Sequence, residues 1–145
     1  MTTVLRSGER ALATVFQTAS QQQRAALIGY LPAGYPSVNG AADAMLAMVD
    51  AGADLVEVGL PYSDPLMDGP VIQQAVDAAL GRGTTTADVL RTVETLADRG
   101  ASAVVMSYWN PIERYGVAAF ARDLAAAGGV GVITPALIPA EAGAG

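Results

Sequence analysis

Apolar residues follow two alternating rhythms along this chain. Stretches with apolar positions three or four residues apart are separated by short, almost wholly apolar runs. Residues 7–23 have the helical rhythm, with Leu12, Val15 and Phe16 on one face. A strand-length run, Ala25-Ala-Leu-Ile-Gly-Tyr-Leu31, follows and is broken by Pro32-Ala-Gly-Tyr-Pro36. Ser37 can cap a helix that carries Ala42, Met45, Leu46 and Val49 and ends at Gly52. Asp54 to Val58 reads as a second strand, and 71–80 as a helix ending at Gly81-Arg-Gly83. Thr85-Thr-Ala-Asp88 forms an N-terminal box for a helix with Val89, Leu90, Val93 and Leu96, ending at Gly100. Ala103-Val-Val-Met106 is a third strand, 116–127 a helix containing Phe120 and Leu124, and Val130-Gly-Val-Ile-Thr134 a fourth strand. Ala140 to Gly145 reads as a helix start that goes no further.

Three times the order is helix, glycine, apolar strand, as in Ala51-Gly-Ala-Asp-Leu-Val-Glu-Val58. Glycine suits the end of a helix, where the chain turns through a left-handed conformation. Repeated βα units imply a parallel sheet. Four strands make either a small open sheet or half of an eight-stranded barrel, which needs roughly 250 residues.

One strand breaks the apolar rule. Glu57 lies between Val56 and Val58 and shares its strand face with Leu55 and Gly59. An all-aliphatic Val56/Val58 face suits packing helices, so Glu57 is expected to point the other way, near the carboxyl end of its strand. Burial there would raise its pKa. The loop that follows, Leu60-Pro-Tyr-Ser-Asp-Pro-Leu-Met-Asp-Gly-Pro70, carries Asp64 and Asp68 among three prolines, which stiffen it. As turn formers these two Asp residues are unremarkable. A calcium loop does not fit, because Leu66 and Ala75 would occupy ligand positions. Tyr108-Trp109, just after the third strand, faces the same end as the Glu57 loop.

Composition narrows the chemistry. The chain has 145 residues, 52% hydrophobic, and a net charge of −6, which disfavours nucleic acid and anionic membranes as partners. No apolar run approaches the ~20 residues that span a bilayer, and the first residues show no signal-peptide pattern. Cysteine and histidine are absent, which removes thiol and imidazole chemistry and their metal sites. All eight basic residues are Arg, so no Schiff base can form on this chain. Acid–base work must rest on carboxylates, helped by tyrosine.

The stretch Glu57-Val-Gly-Leu-Pro-Tyr-Ser-Asp-Pro-Leu-Met-Asp-Gly-Pro70 resembles the signature of the tryptophan synthase α subunit. Leu27 to Pro36, Met106-Ser-Tyr-Trp-Asn-Pro111 and Val132 to Pro139 resemble that family's other blocks in order and spacing. The resemblance covers essentially the whole chain, but only about the first half of a family member. It implies an α/β fold, the first half of a (β/α)8 TIM barrel with about four parallel strands and an N-terminal helix. It implies a cytoplasmic lyase of tryptophan biosynthesis that cleaves indole-3-glycerol phosphate to indole and glyceraldehyde 3-phosphate. It implies a β partner, in an α2β2 tetramer, that receives the indole and holds pyridoxal phosphate; no cofactor or metal is expected on this chain. By resemblance Glu57 and Asp68 are catalytic, Tyr30 and Tyr108 line the substrate site, and Pro61, Asp64 and Asn110 meet the β subunit. The alternatives are another phosphate-binding barrel with a carboxylate pair, or a non-catalytic half barrel that only docks on β. Two departures stand out. The phosphate-binding loops of the later half are expected to be missing, and Ala136 stands where the family usually has Asp. A half barrel is also expected to leave open edges at its first and fourth strands and to expose Leu55 and the apolar third strand on its inner face.

Overall fold

Four short strands form one parallel sheet, and chain order is also spatial order. They are β1 (Ile28–Pro32), β2 (Leu55–Gly59), β3 (Ala103–Met106) and β4 (Gly131–Ile133). Register pairs Tyr30 with Glu57, Glu57 with Val104, and Val104 with Gly131. The structure is a computed structural model and describes residues 7–135. Ala136 and the 140–145 segment therefore lie outside the described residues.

The helices are α1 (Ser7–Gln21), α2 (Val38–Asp50), α3 (Pro70–Gly81), α4 (Thr86–Asp98), α5 (Trp109–Tyr115) and α6 (Val117–Ala126). Local chemistry sets their ends. Ser37 Oγ accepts from Gly40 N–H at the start of α2. Thr85 and Asp88 form a reciprocal capping box at α4, which satisfies two otherwise orphan donors. Gly52 and Gly100, after α2 and α4, have φ of 110° and 78°, the left-handed region that glycine adopts without penalty.

Alternate residues of the inner strands build the core. Val56, Val58, Ala103 and Val105 pack with Met45 of α2, Val89, Val93 and Leu96 of α4, Ile112 of α5, and Phe120 and Leu124 of α6. Full burial of each large side chain contributes roughly 1.5–3 kcal/mol, so this face fixes which residues of β2 look the other way. Sequential parallel strands with helices packed on one face are the arrangement of the first half of a (β/α)8 barrel.

Helix α1 stands apart from that layer. A cavity of about 380 Å3 separates its residues Ala11, Thr14, Val15 and Thr18 from Asp54 and Ser102, at the amino ends of the strands. At Gly8 a Cβ would fall 2.8 Å from the Val130 carbonyl oxygen. This helix floors the sheet.

The structure corrects two expectations and adds an element. Leu55 and Val104 are each only 3% exposed, so the start of the inner face is covered. The exposed apolar residues of the sheet lie instead on its edge strands. Phe16, expected on the apolar face of α1, is 48% exposed, and Ala19 takes the buried position. Trp109 to Tyr115, to which the hydrophobic pattern assigned no element, forms α5.

Candidate active site

Glu57 is the fulcrum. Its neighbours Val56 and Val58 are fully buried against the helices, so parity turns its half-buried carboxylate to the opposite, inner face of the sheet. Burial pushes the Glu57 carboxyl above its ordinary pKa. In low-dielectric surroundings the neutral acid is favoured over the anion.

Tyr30 stands beside it, opposite in register on β1. Its half-buried phenol is pushed up, first by burial and then by the negative charges of Asp68 and Glu57, with Tyr108 nearby. One phenol thus senses both carboxylates. The Tyr30 hydroxyl reaches over the last residue of β2, where only a glycine fits: a Cβ on Gly59 would fall 2.5 Å from the phenolic oxygen.

Asp68 comes from the loop between β2 and α3, and the loop is held on both sides of it. Met67 N–H donates to the Tyr108 hydroxyl oxygen at 2.9 Å. Gln73 Nε2 donates to the Asp68 carbonyl oxygen at 2.7 Å. Pro70 at the first turn of α3 fixes the way out of the loop. The base of the loop is tied to the sheet, where Leu60 N–H donates to the Met106 carbonyl oxygen. Asp68 is half-buried.

The aromatic pair expected after β3 divides. Tyr108 is 6% exposed and belongs to this end of the sheet, whereas Trp109 packs against the helical core. The Tyr108 ring lies 5.6 Å from that of Tyr62, tilted by 39°. Asn110 Nδ2 donates to the Tyr62 hydroxyl oxygen at 2.7 Å. Pro61 is buried, whereas Asp64 and Asn110 are exposed, and Asp64 accepts from the Ser63 hydroxyl at 2.8 Å. A cavity of about 430 Å3 is lined by Pro61, Tyr62, Thr84, Pro111 and Arg114 among others, and neither Glu57 nor Asp68 lines it.

Glu57, Asp68 and Tyr108 therefore converge on Tyr30, and Asp64 is not among the charges that shift it. Reading by sequence missed Tyr62, the Met67 amide and Gln73. Tyr62 lies in the signature stretch itself, between Pro61 and Ser63, and its aromatic character was the available signal. Chemically, the arrangement offers a carboxyl group biased toward its protonated form, a second carboxylate on an anchored loop, and two phenols. Among the described residues no cluster of three or more His, Cys, Asp or Glu could hold a metal ion, and no helix is long and apolar enough to cross a membrane.

A family model described as "Tryptophan synthase alpha chain" matches residues 16–144. The tryptophan synthase alpha chain of Thermobifida fusca is 64% identical over 124 residues, which cover 86% of this chain and 46% of that one. That of Mycobacterium avium is 57% identical over 141 residues, covering 97% and 52%. A crystal structure of tryptophan synthase from M. tuberculosis superposes with a TM-score of 0.89 at 59% identity, over 90% of this chain and 53% of that chain. The tryptophan synthase alpha subunit of Legionella pneumophila gives 0.87 at 34% identity, over 91% and 51%. The chain spans about half the length of the curated relatives it matches. Its matched span, the βα order of its strands and its inward carboxylate agree: the chain belongs to the tryptophan synthase alpha chain family.

Proposed function

We propose that these residues form the first half of a single barrel domain that cleaves indole-3-glycerol phosphate to indole and glyceraldehyde 3-phosphate. The observation that carries the reading is the convergence of Glu57 and Asp68 around Tyr30 at the carboxyl end of the parallel sheet, where barrels of this type do their chemistry.

Glu57, whose carboxyl burial pushes above its ordinary pKa, delivers its proton to the indole ring carbon that bears the glycerol chain. The ring becomes a cation, and Asp68 stabilises it by accepting a hydrogen bond from the indole N–H. Glu57, now a carboxylate, removes the proton from the hydroxyl on the adjacent chain carbon. The carbon–carbon bond breaks, its electron pair returns to the ring, and the chain leaves as an aldehyde. One group serves as acid and then as base, which a pKa raised by burial favours. Tyr30 and Tyr108 flank the indole. The chemistry needs neither metal nor cofactor on this chain.

The partner is a tryptophan synthase β subunit in an α2β2 assembly in the cytoplasm, carrying the pyridoxal phosphate that consumes the indole. Asp64 and Asn110, both exposed at this end, and Pro61 beside them form the docking rim. The test is an α chain of full family length with these residues as its first half. Glu57→Gln should abolish indole release at an unchanged circular dichroism spectrum. Retention of more than about a tenth of the parent rate would overturn the assignment, since a general acid–base group contributes on the order of 10²–10⁴-fold.

A further inference from the structure

Between the rim and the catalytic loop runs a chain of contacts that the proposed chemistry does not use. Asn110 Nδ2 donates to the Tyr62 hydroxyl oxygen at 2.7 Å. The Tyr62 ring rests on the Tyr108 ring, with centroids 5.6 Å apart. The Tyr108 hydroxyl oxygen accepts the Met67 N–H at 2.9 Å. Met67 directly precedes Asp68, whose own carbonyl is held by Gln73. Asn110 and Tyr108 belong to the segment after β3, whereas Tyr62, Met67 and Asp68 belong to the loop after β2. Tyr62 and Met67 thus fasten two stretches of one loop to the neighbouring βα segment at two points that share Tyr108.

We propose that Tyr62 is a positioning residue for Asp68, acting through Tyr108 and the Met67 amide. The inference rests on the lyase reading above. The physical argument is steric. Met67 is 65% exposed, so little packing holds that part of the loop. Its placement relies on the Tyr108 hydroxyl, and the angle of the Tyr108 ring relies on what lies against it. Tilted aromatic pairs at this separation have a preferred geometry. A displacement of about 1 Å in a catalytic group costs up to roughly 10²-fold in rate, so a contact that never meets substrate can govern kcat.

The test uses the same full-length α chain with Tyr62→Leu, Tyr108→Phe, the double variant and Tyr62→Phe. Tyr62→Leu should lower kcat roughly ten- to a hundredfold and should speed hydrogen exchange at the Met67 amide. Tyr108→Phe should speed the same amide. The double variant should fall no further than the worse single one, because both break one path. Tyr62→Phe keeps the ring and should recover most of the lost rate, which a misfolded variant would not do. Parent-like exchange at Met67 in Tyr62→Leu, or losses that multiply in the double variant, would overturn the proposal. Failure of the lyase reading is recognised separately, by an active Glu57→Gln chain. The exchange measurement reads the contact chain without any turnover.

Discussion

The phenol of Tyr30 lies over Gly59: a Cβ at that glycine would fall 2.5 Å from the hydroxyl oxygen and 2.9 Å from the ring carbon that bears it. The last residue of β2 is therefore kept free of a side chain by a residue of β1, and the same phenol stands next to both carboxylates. Gly59→Ala should force Tyr30 to swing away from the pair. Overpacking of this kind costs about 1–3 kcal/mol, reduced if the ring end can shift. The expected outcome in a full-length chain is a raised KM for the indole substrate with modest loss of stability. Steady-state kinetics and a urea titration check it, and an unchanged KM would show that Tyr30 does not shape the pocket.

Glu57→Gln should separate stability from activity. The folded-state pKa of Glu57 is raised by burial, so its ionisation costs stability that the amide does not lose. The two chains should match in stability below the ordinary carboxylate pKa of about 4.3. As pH rises through the raised value the parent should fall behind, leaving the inactive variant more stable at neutral pH. Asp68→Asn should also be nearly inactive, because an amide cannot balance the positive charge of the protonated ring. Thermal melts at pH 4 and pH 7 test the first claim; a variant that is equally stable or less stable at pH 7 would contradict it.

Much of the fold was legible because its signals are local. Thr85 and Asp88 are three residues apart, so their capping box can be read directly and forms as expected. The glycines after α2 and α4 fall at the left-handed turns that only their residue type enters freely. The parity of β2 was legible too, since Val56 and Val58 leave a single direction for Glu57. Helix α5 was not, because its seven residues are too few to show a helical rhythm of apolar positions. Pro111 lies in the first turn of the helix, where its missing N–H leaves no intrahelical bond unmade. The cover over Leu55 is a tertiary event with no local signature. The contact of Tyr62 with Tyr108 is of the same kind: it exists only once β2 and β3 have paired.

Arg24 and Asp54 form a two-pronged clamp at the opposite end of the sheet. The Arg24 Nη1 and Nη2 atoms lie 2.6 and 2.7 Å from Asp54 Oδ2 and Oδ1, and Leu27 N–H donates to Oδ2 at 2.8 Å. The Arg24 hydrogen bonds, and then the Leu27 amide, hold the Asp54 carboxyl down at about 2. A depressed carboxylate lends stability above its ordinary pKa of about 3.9, and that stability drains away as pH falls from about 4 toward 2. Asp54→Asn should therefore be less stable than the parent at pH 7, with the gap closing across that acid window. Urea midpoints at pH 7, 4 and 2.5 decide it, and a gap that ignores pH would show that the clamp acts through packing alone.

The edges of the sheet set the last expectation. Among the described residues no strand pairs with the outer side of β1 or of β4. Each outer side presents backbone donors and acceptors to whatever approaches. Their side chains do not discourage pairing: Leu27 beside β1 is 60% exposed, Ile28 42%, and Val132 and Ile133 of β4 41% each. Natural edge strands are guarded by lysine, proline or bulges, and this chain contains no lysine at all. Covered residues such as Leu55 play no part, so association should run through the edges rather than the inner face. The 145 residues expressed by themselves should elute from a sizing column as dimers or larger species, increasingly so with concentration. Ile28→Lys with Val132→Lys should shift them toward monomer, because a charge on each edge opposes pairing. Light scattering across a hundredfold dilution measures this. A parent chain that stays monomeric at the highest concentration, or a lysine pair that changes nothing, would mean that these edges are not what brings copies together.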